Sequence, residues 1–335
     1  MVTEPELLDV LVEESAEQDV PSFLKKRNLC RDLLLRGCGV YHVAYYTTGV
    51  LDFALDVFAH PSAPPAPDGV DLPERRELHR RVGAQLVYRV SELNRRLREL
   101  QCGSLIRTVA QTRAGLVFCN AVVSNEHVVG FGAAPDGGPA AVADPARVSE
   151  IDRAAAGLAT DLRRLVRQRS QNPGGWLTTV DGEQGPDAER LAGDPFPPRV
   201  TGRPPAEAAT ALRPAGLHYL SRHRMAEPAW SVDILAHPEL APFFNRGITV
   251  ADRGARYQRL AGDLALLALQ VARDLRRAVG GDVSRLVLDM EMGAVFYYRL
   301  SPDDYLFGVT LDQDSVARAD RAVWTVARHL ADESV

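Results

Sequence analysis

The sequence predicts an α/β protein built twice over, and three observations carry that prediction. Residues 283 to 311, VSRLVLDMEMGAVFYYRLSPDDYLFGVTL, read as three short strands joined by two tight turns. Residues 105 to 132 repeat the same apolar rhythm and the same landmarks, with Gly115 and Gly293, Phe118 and Phe296, and Gly130 and Gly308 each 178 residues apart. Before each triplet of strands the apolar period changes to three-four, which marks a long helix.

The chain has 335 residues, 46% of them apolar, enough for two ordinary cores, and the duplication divides it that way. Its net charge of −5 lacks the footprint of a general nucleic-acid binder. Lysine occurs only at Lys25 and Lys26, so arginine supplies the other cations, which reads as a GC-rich bacterial coding bias. The first twenty residues start acidic and carry no apolar run of signal-peptide type, and no window reaches the roughly 18 apolar residues of a membrane span. A cytoplasmic location is expected. Cys30, Cys38, Cys102 and Cys119 form no C-x-x-C pair and sit among apolar neighbours, which suits reduced core thiols and neither a metal site nor a disulfide framework.

Residues 4 to 18 are expected to form an amphipathic helix with Leu7, Leu8, Leu11 and Val12 on one side, and a second helix runs from about Ser22, a plausible N-cap, to Leu35. These make an N-terminal region, 1–38. The first copy covers 39–169. Its residues 39 to 61 are aromatic and β-branched with Thr-Gly in the middle, a strand pair, and a proline-rich loop follows. From Glu74 to Leu100 the apolar residues Val82, Leu86, Val90, Leu93, Leu97 and Leu100 fall three or four apart. Three strands come next, then a loop around Pro135 to Pro145, then a helix on Val148, Ile151, Ala155, Leu158, Leu162 and Leu165.

Residues 170–204 are dense in Gly, Pro and polar residues and read as a linker that Trp176 and Leu177 could dock locally. The second copy, 205–335, then repeats the first. GLHYLSRH at 216 answers GVYHVAYY at 39, and VDILAHP at 232 answers LDVFAHP at 55. In the long helix Arg95 and Arg98 are matched by Arg273 and Arg276, and past the strands Asp152 and Arg153 are matched by Asp320 and Arg321.

Each copy therefore reads α-β-β-α-β-β-β-α. That order, with a glycine turn between the third and fourth strands, resembles the Roadblock family of small α/β proteins related to dynein light chains; longin and GAF domains are related shapes. The resemblance is most specific over residues 285 to 330 and weaker in the first copy, where TRAG replaces MEMG. It implies two tandem Roadblock-like domains forming an intramolecular pseudo-dimer, the long helices side by side and the following strands paired across the two-fold. It also implies a monomeric, non-catalytic scaffold or regulator that binds a partner protein such as a Ras-like small GTPase. Two alternatives stay open: an enzyme or small-molecule sensor with a pocket between sheet and loops, and a structural subunit of a larger complex.

Motifs for chemistry are absent from the sequence: neither lysine follows a phosphate-binding glycine loop, and no dinucleotide fingerprint, H-E-x-x-H or nucleophile elbow occurs. Accordingly no catalytic, cofactor-binding or metal-binding residue is assigned. His60 and His237, in a repeated Ala-His-Pro triplet, are expected to cap or fill turns, while Asp56 and Asp233 are expected to meet a backbone N–H or an arginine. Tyr297, Tyr298 and Tyr305 read as sheet residues with their hydroxyls at the edge. In the second long helix Leu260, Leu264, Leu267, Val271 and Leu275 make one stripe, and Leu266 and Leu269 lie off it, so a second cover over that helix is expected. The candidate partner-binding residues are Arg95, Arg96, Arg273, Arg276 and Arg277, read as a docking surface for an acidic partner against the plain alternative of a solvated face.

Overall fold

The computed structural model describes the chain except residues 1–3, 16–20, 67–68, 134–141, 178–195, 245–246 and 334–335. Most of the expected 170–204 linker and of the loop around Pro135 to Pro145 lies outside the described residues.

The strands form a single antiparallel sheet of twelve, in the order β1-β3-β2-β6-β5-β4-β10-β11-β12-β8-β9-β7. The first half contributes β1 (Val12–Ser15), β2 (Val40–Thr47), β3 (Val50–Asp56), β4 (Leu105–Gln111), β5 (Gly115–Val123) and β6 (Glu126–Ala133). Strands β7 (Arg199–Gly202), β8 (Tyr219–Arg224), β9 (Glu227–Asp233), β10 (Arg285–Met290), β11 (Ala294–Ser301) and β12 (Asp304–Thr310) come from the second. Read from either outer edge, the order meets corresponding strands until β4 pairs with β10 at the centre, with Val109 opposite Val287. Those two positions are 178 residues apart, the repeat offset of the sequence.

Helices cover both faces, because alternate strand residues are apolar on both sides. On one face lie α3 (Leu72–Leu97) and its counterpart α6 (Val250–Leu275). On the other are α2 (Pro21–Leu35), α4 (Ser149–Leu165) and α7 (Val316–Asp332). At the central pair Val109 and Val287 point into the α2, α4 and α7 layer, whereas the adjacent Ala110 and Leu286 point under α3 and α6. Two short helices add to these layers: Leu7 of α1 (Glu4–Leu8) joins the core under α3 and α6, and Ala208 of α5 (Ala206–Thr210) joins that under α2, α4 and α7.

The landmarks of the duplication have a packing cause. Phe118 and Gly130 are cross-strand partners on β5 and β6, as are Phe296 and Gly308 on β11 and β12. The Phe118 ring lies over Gly130, where a Cβ would sit 2.1 Å from it, whereas a Cβ at Gly308 would sit 2.5 Å from Val323 and 3.4 Å from the Phe296 ring. The pair conserves total volume between strands and helix, which makes the glycines as necessary as the rings.

Two expectations are corrected. Residues 4 to 18 do not make one helix: α1 ends at Leu8, and Val12 to Ser15 form β1, paired with β3 from Val12 opposite Asp56. The unsatisfied edge of β3 captures that stretch, and β7 does the same for β9 within the expected linker, Arg199 facing Asp233. The linker is docked elsewhere too. Its turn at Pro173–Gly175 is buried, Gly174 donates its N–H to Asp289 Oδ2 at 2.7 Å, and Arg153 stacks on half-buried Trp176, while Leu177 is exposed.

A candidate protein-docking face

Helix α3 starts cleanly because Asp71 accepts from the Glu74 N–H and a proline occupies the first turn; α6 starts on a capping box of Thr249 and Asp252. Their buried stripes, Val82, Leu86, Val90, Leu93 and Leu97 on α3 and Leu264, Leu267, Val271 and Leu275 on α6, fix which side faces the sheet. The helices pack antiparallel. Near one end Arg256 of α6 donates to the Glu99 carbonyl beyond α3, and further along Arg89 of α3 donates to Asp274 at 3.0 Å and to Gln270 at 3.4 Å.

This antiparallel arrangement decides where the candidate arginines go. Arg95 and Arg96 lie at the C-terminal end of α3, beside the N-terminal half of α6; Arg273, Arg276 and Arg277 lie at or just past the C-terminal end of α6. All five are exposed. Arg96 pairs with Glu92 on its own helix at 2.7 Å, whereas Arg95, Arg273, Arg276 and Arg277 form no ion pair among the described residues. Arg276 lies close enough to Asp282 to help hold that carboxyl below its usual range, behind the larger effect of the Arg299 hydrogen bond. The five therefore form two groups flanking the helix pair, with two turns, about 10 Å of rise, between Arg89 at the crossing and Arg96.

Between the groups, beside the Arg89–Asp274 pair, large apolar side chains are exposed. Tyr88 is 72% exposed, Leu266 57% and Leu269 55%. The second cover expected over Leu266 and Leu269 is not supplied by the described residues, since α3 packs on a different side of α6 and leaves both side chains in water. Beside them opens a cleft of about 310 Å³ between α6 and the β8–β9 and β11–β12 turns, lined by Met225, Leu266, Leu269, Tyr297 and Pro302 among others. Met225, at the tip of its turn with φ +49°, is 78% exposed.

Other residues singled out in the sequence are occupied structurally. His60 Nδ1 accepts the Ser62 N–H and His237 Nδ1 accepts the Glu239 N–H, so both imidazoles close turns. Asp56 takes the Phe58 N–H and Arg76; Asp233 takes the Leu235 N–H and Arg199. The arginine comes from a different element in each copy. Gly254 stands where Arg76 stands in the repeat, and a Cβ there would meet the Arg199 guanidinium at 2.9 Å. The hydroxyls expected at the sheet edge are interior: Tyr298 donates to Asp320 at 2.8 Å and Tyr305 to the Ala261 carbonyl at 2.7 Å. Cys30, Cys102 and Cys119 are buried free thiols, and burial pushes all three up in pKa.

One buried ionic cluster escaped the sequence reading. Arg107 on β4 pairs with Asp152 on α4 and, at 2.9 Å, with Asp289 on β10; Arg285 on β10 pairs with Asp320 on α7 and lies 3.9 Å from Asp152. All five are buried, and burial outweighs the arginines at Asp152, whose carboxyl is raised. The signal was present, because Arg107 and Arg285 share the 178-residue offset and Asp152 and Asp320 recur as well. Strand arginines inside apolar runs read as solvent-facing unless a partner from another element is known. The cluster is enclosed by the Pro173–Gly175 turn, and its chemistry is that of a structural clamp.

No helix among the described residues is long and apolar enough to cross a membrane, and no cluster of three or more His, Cys, Asp or Glu suited to a metal ion occurs among them. No protein-family model, curated protein or solved structure matches this chain.

Proposed function

We propose that this chain is a non-catalytic scaffold of two tandem Roadblock-like domains that pair within one chain and bind a partner protein, with a Ras-like small GTPase as the first candidate. The observation that carries the reading is the outer face of α3 and α6, where exposed Tyr88, Leu266 and Leu269 lie between two groups of arginines that are mostly without ion-pair partners. Large apolar side chains exposed beside unpaired charge mark an interaction surface. Arginine is also the cation that protein interfaces favour.

An acidic partner patch fits this face, and the arginines then act mainly through association rate and specificity. The test is quantitative capture from a native lysate with wild-type and Arg96→Glu/Arg277→Glu baits. Loss of one partner from the variant bait supports the reading. Equal recovery by both places the docking surface elsewhere, and turnover by the purified chain alone moves the case to the enzyme reading.

A further inference from the structure

Arg75 and Arg253 hold the same place in the two copies, 178 residues apart in the first turns of α3 and α6. Both are buried, at 4% and 1% exposure, and neither forms an ion pair among the described residues. A guanidinium out of water is tolerated where it is paired or fully hydrogen-bonded. The two copies meet that demand differently.

In the first copy Arg75 donates through Nη2 to the Pro64 carbonyl at 2.7 Å, and its plane lies over the Phe58 and Tyr41 rings, 4.2 and 5.7 Å from their centres. Asp56 is within electrostatic reach. In the second copy the Phe244 ring covers the Arg253 guanidinium at 4.8 Å, but Nε–H and Nη2–H are buried and neither has a hydrogen-bond partner. Those two N–H groups share one edge of the planar guanidinium and point the same way. The buried Tyr257 hydroxyl lies beside Arg253 and Cys102 and completes a hydrogen bond with neither. Burial raises the pKa of Tyr257 and of Cys102, so each keeps its proton and no negative charge there balances the arginine. Asp252, next in sequence, is turned to the Thr249 cap.

The donors set the chemistry of the ligand. Two parallel N–H groups match the two oxygens of a carboxylate, and the Tyr257 O–H supplies a third donor to one of them. A phosphate brings a second charge and more oxygens than three donors satisfy. Phe244 is half-buried, so the guanidinium lies one ring beneath the surface, within reach of a small anion and not of a protein side chain held on a docked surface.

We propose that the second copy binds a small monocarboxylate at Arg253, gripped by Nε–H and Nη2–H and by the Tyr257 hydroxyl beneath Phe244. The first copy lacks the site, because the Pro64 carbonyl takes an Arg75 N–H and His79 stands in the place of Tyr257. The site is interior, apart from the outer face of α3 and α6, so it stands whether or not that face binds a protein.

The experiment is thermal unfolding of the full chain in sodium acetate and in sodium chloride at matched concentrations and neutral pH, with circular dichroism confirming that each variant is folded. In acetate the melting temperature of wild type is expected to rise with concentration as binding to the folded state alone requires. Chloride offers one centre where a carboxylate offers two, and its effect should be smaller. Tyr257→Phe keeps the ring and should weaken acetate binding roughly tenfold, the worth of one hydrogen bond to a charged group. Arg253→Lys keeps the charge without the paired N–H edge, and Arg253→Met removes both; each should lose the acetate response. Arg253→Met is also expected to melt no lower than wild type in acetate-free buffer, because it removes a buried charge that nothing balances. No acetate effect on wild type beyond that of chloride up to roughly 100 mM, a weak limit for a specific site, overturns the proposal. So does an acetate effect that both Arg253 variants share, or an Arg253→Met chain that melts well below wild type without acetate.

Discussion

Arg107 on β4 and Asp289 on β10 lie opposite each other across the central strand pair, with the guanidinium Nε 2.9 Å from Oδ2 and both side chains buried. The same Oδ2 accepts the Gly174 N–H from the turn that precedes the second half, so one carboxylate ties three segments together. Removing Asp289 leaves Asp152 as the partner of Arg107 and strips the buried Arg107 Nε–H and Gly174 N–H of their shared acceptor. Asp289→Ala is expected to destabilise the chain by about 2–4 kcal/mol, measured by urea unfolding, at about 1–3 kcal/mol for each donor left unsatisfied. Arg107→Met with Asp289→Leu and Asp152→Leu should recover much of that loss, since Arg285 and Asp320 keep their own pair and replacing Arg107 together with both of its carboxylates is far less costly than removing one.

Gly130 and Gly308 are expected to respond alike. Alanine at either position forces a methyl group against Phe118 or against Val323, and overpacking of this kind costs about 1–3 kcal/mol. Shortening the facing ring, as in Gly130→Ala with Phe118→Leu, should restore part of the loss. Thermal unfolding of the single and double variants checks the coupling.

Stability should fall on acidification between about pH 6.5 and pH 4. His79 is held at about pKa 4, chiefly by burial, and the buried His42 beside it is also lowered, by burial first and then by His79 and the nearby arginines Arg80, Arg75 and Arg76. Below 6.5 the unfolded chain binds protons that the folded state refuses, so stability is complete above that value and is lost as pH drops towards the folded pKa. For His79 alone the full effect is roughly 3 kcal/mol. The second copy places Tyr219 and Tyr257 at these two positions. His79→Phe should therefore flatten the acid limb of a melting-temperature profile, and an unchanged limb would assign the acid sensitivity to other groups.

A fragment of residues 205–335 should not behave as a folded monomer. Removal of the first half opens the ladder edge of β10 and uncovers the side of α6 that faces α3. Aggregation or self-association on a sizing column is the expected outcome. A well-folded monomeric fragment would show that the two halves do not depend on each other.

The order of elements was legible because strand and helix periods changed where the chain changed direction, and because the second copy repeated each change. Positions whose role depends on distant partners were not. Val12 continues the spacing of Leu7, Leu8 and Leu11 that suits a helix, and the open edge of β3 decides the outcome for Val12 to Ser15. Arg107 and Arg285 gain their meaning from Asp152, Asp289 and Asp320, which three other segments bring to them. The exposure of Leu266 and Leu269 turns on which side of α6 the helix α3 chooses, and composition does not fix that choice. On the outer face of α3 and α6 the arginine identities were readable, while their division into two groups follows from the antiparallel crossing.

Hydrogen exchange on the chain with and without its captured partner tests most directly the proposal that the outer face of α3 and α6 holds another protein. Slowed exchange confined to residues 85–99 and 263–277, together with the 225–226 turn, is the predicted result. Protection confined to α2, α4 and α7 on the opposite side of the sheet, with α3 and α6 exchanging as in the free chain, would contradict it.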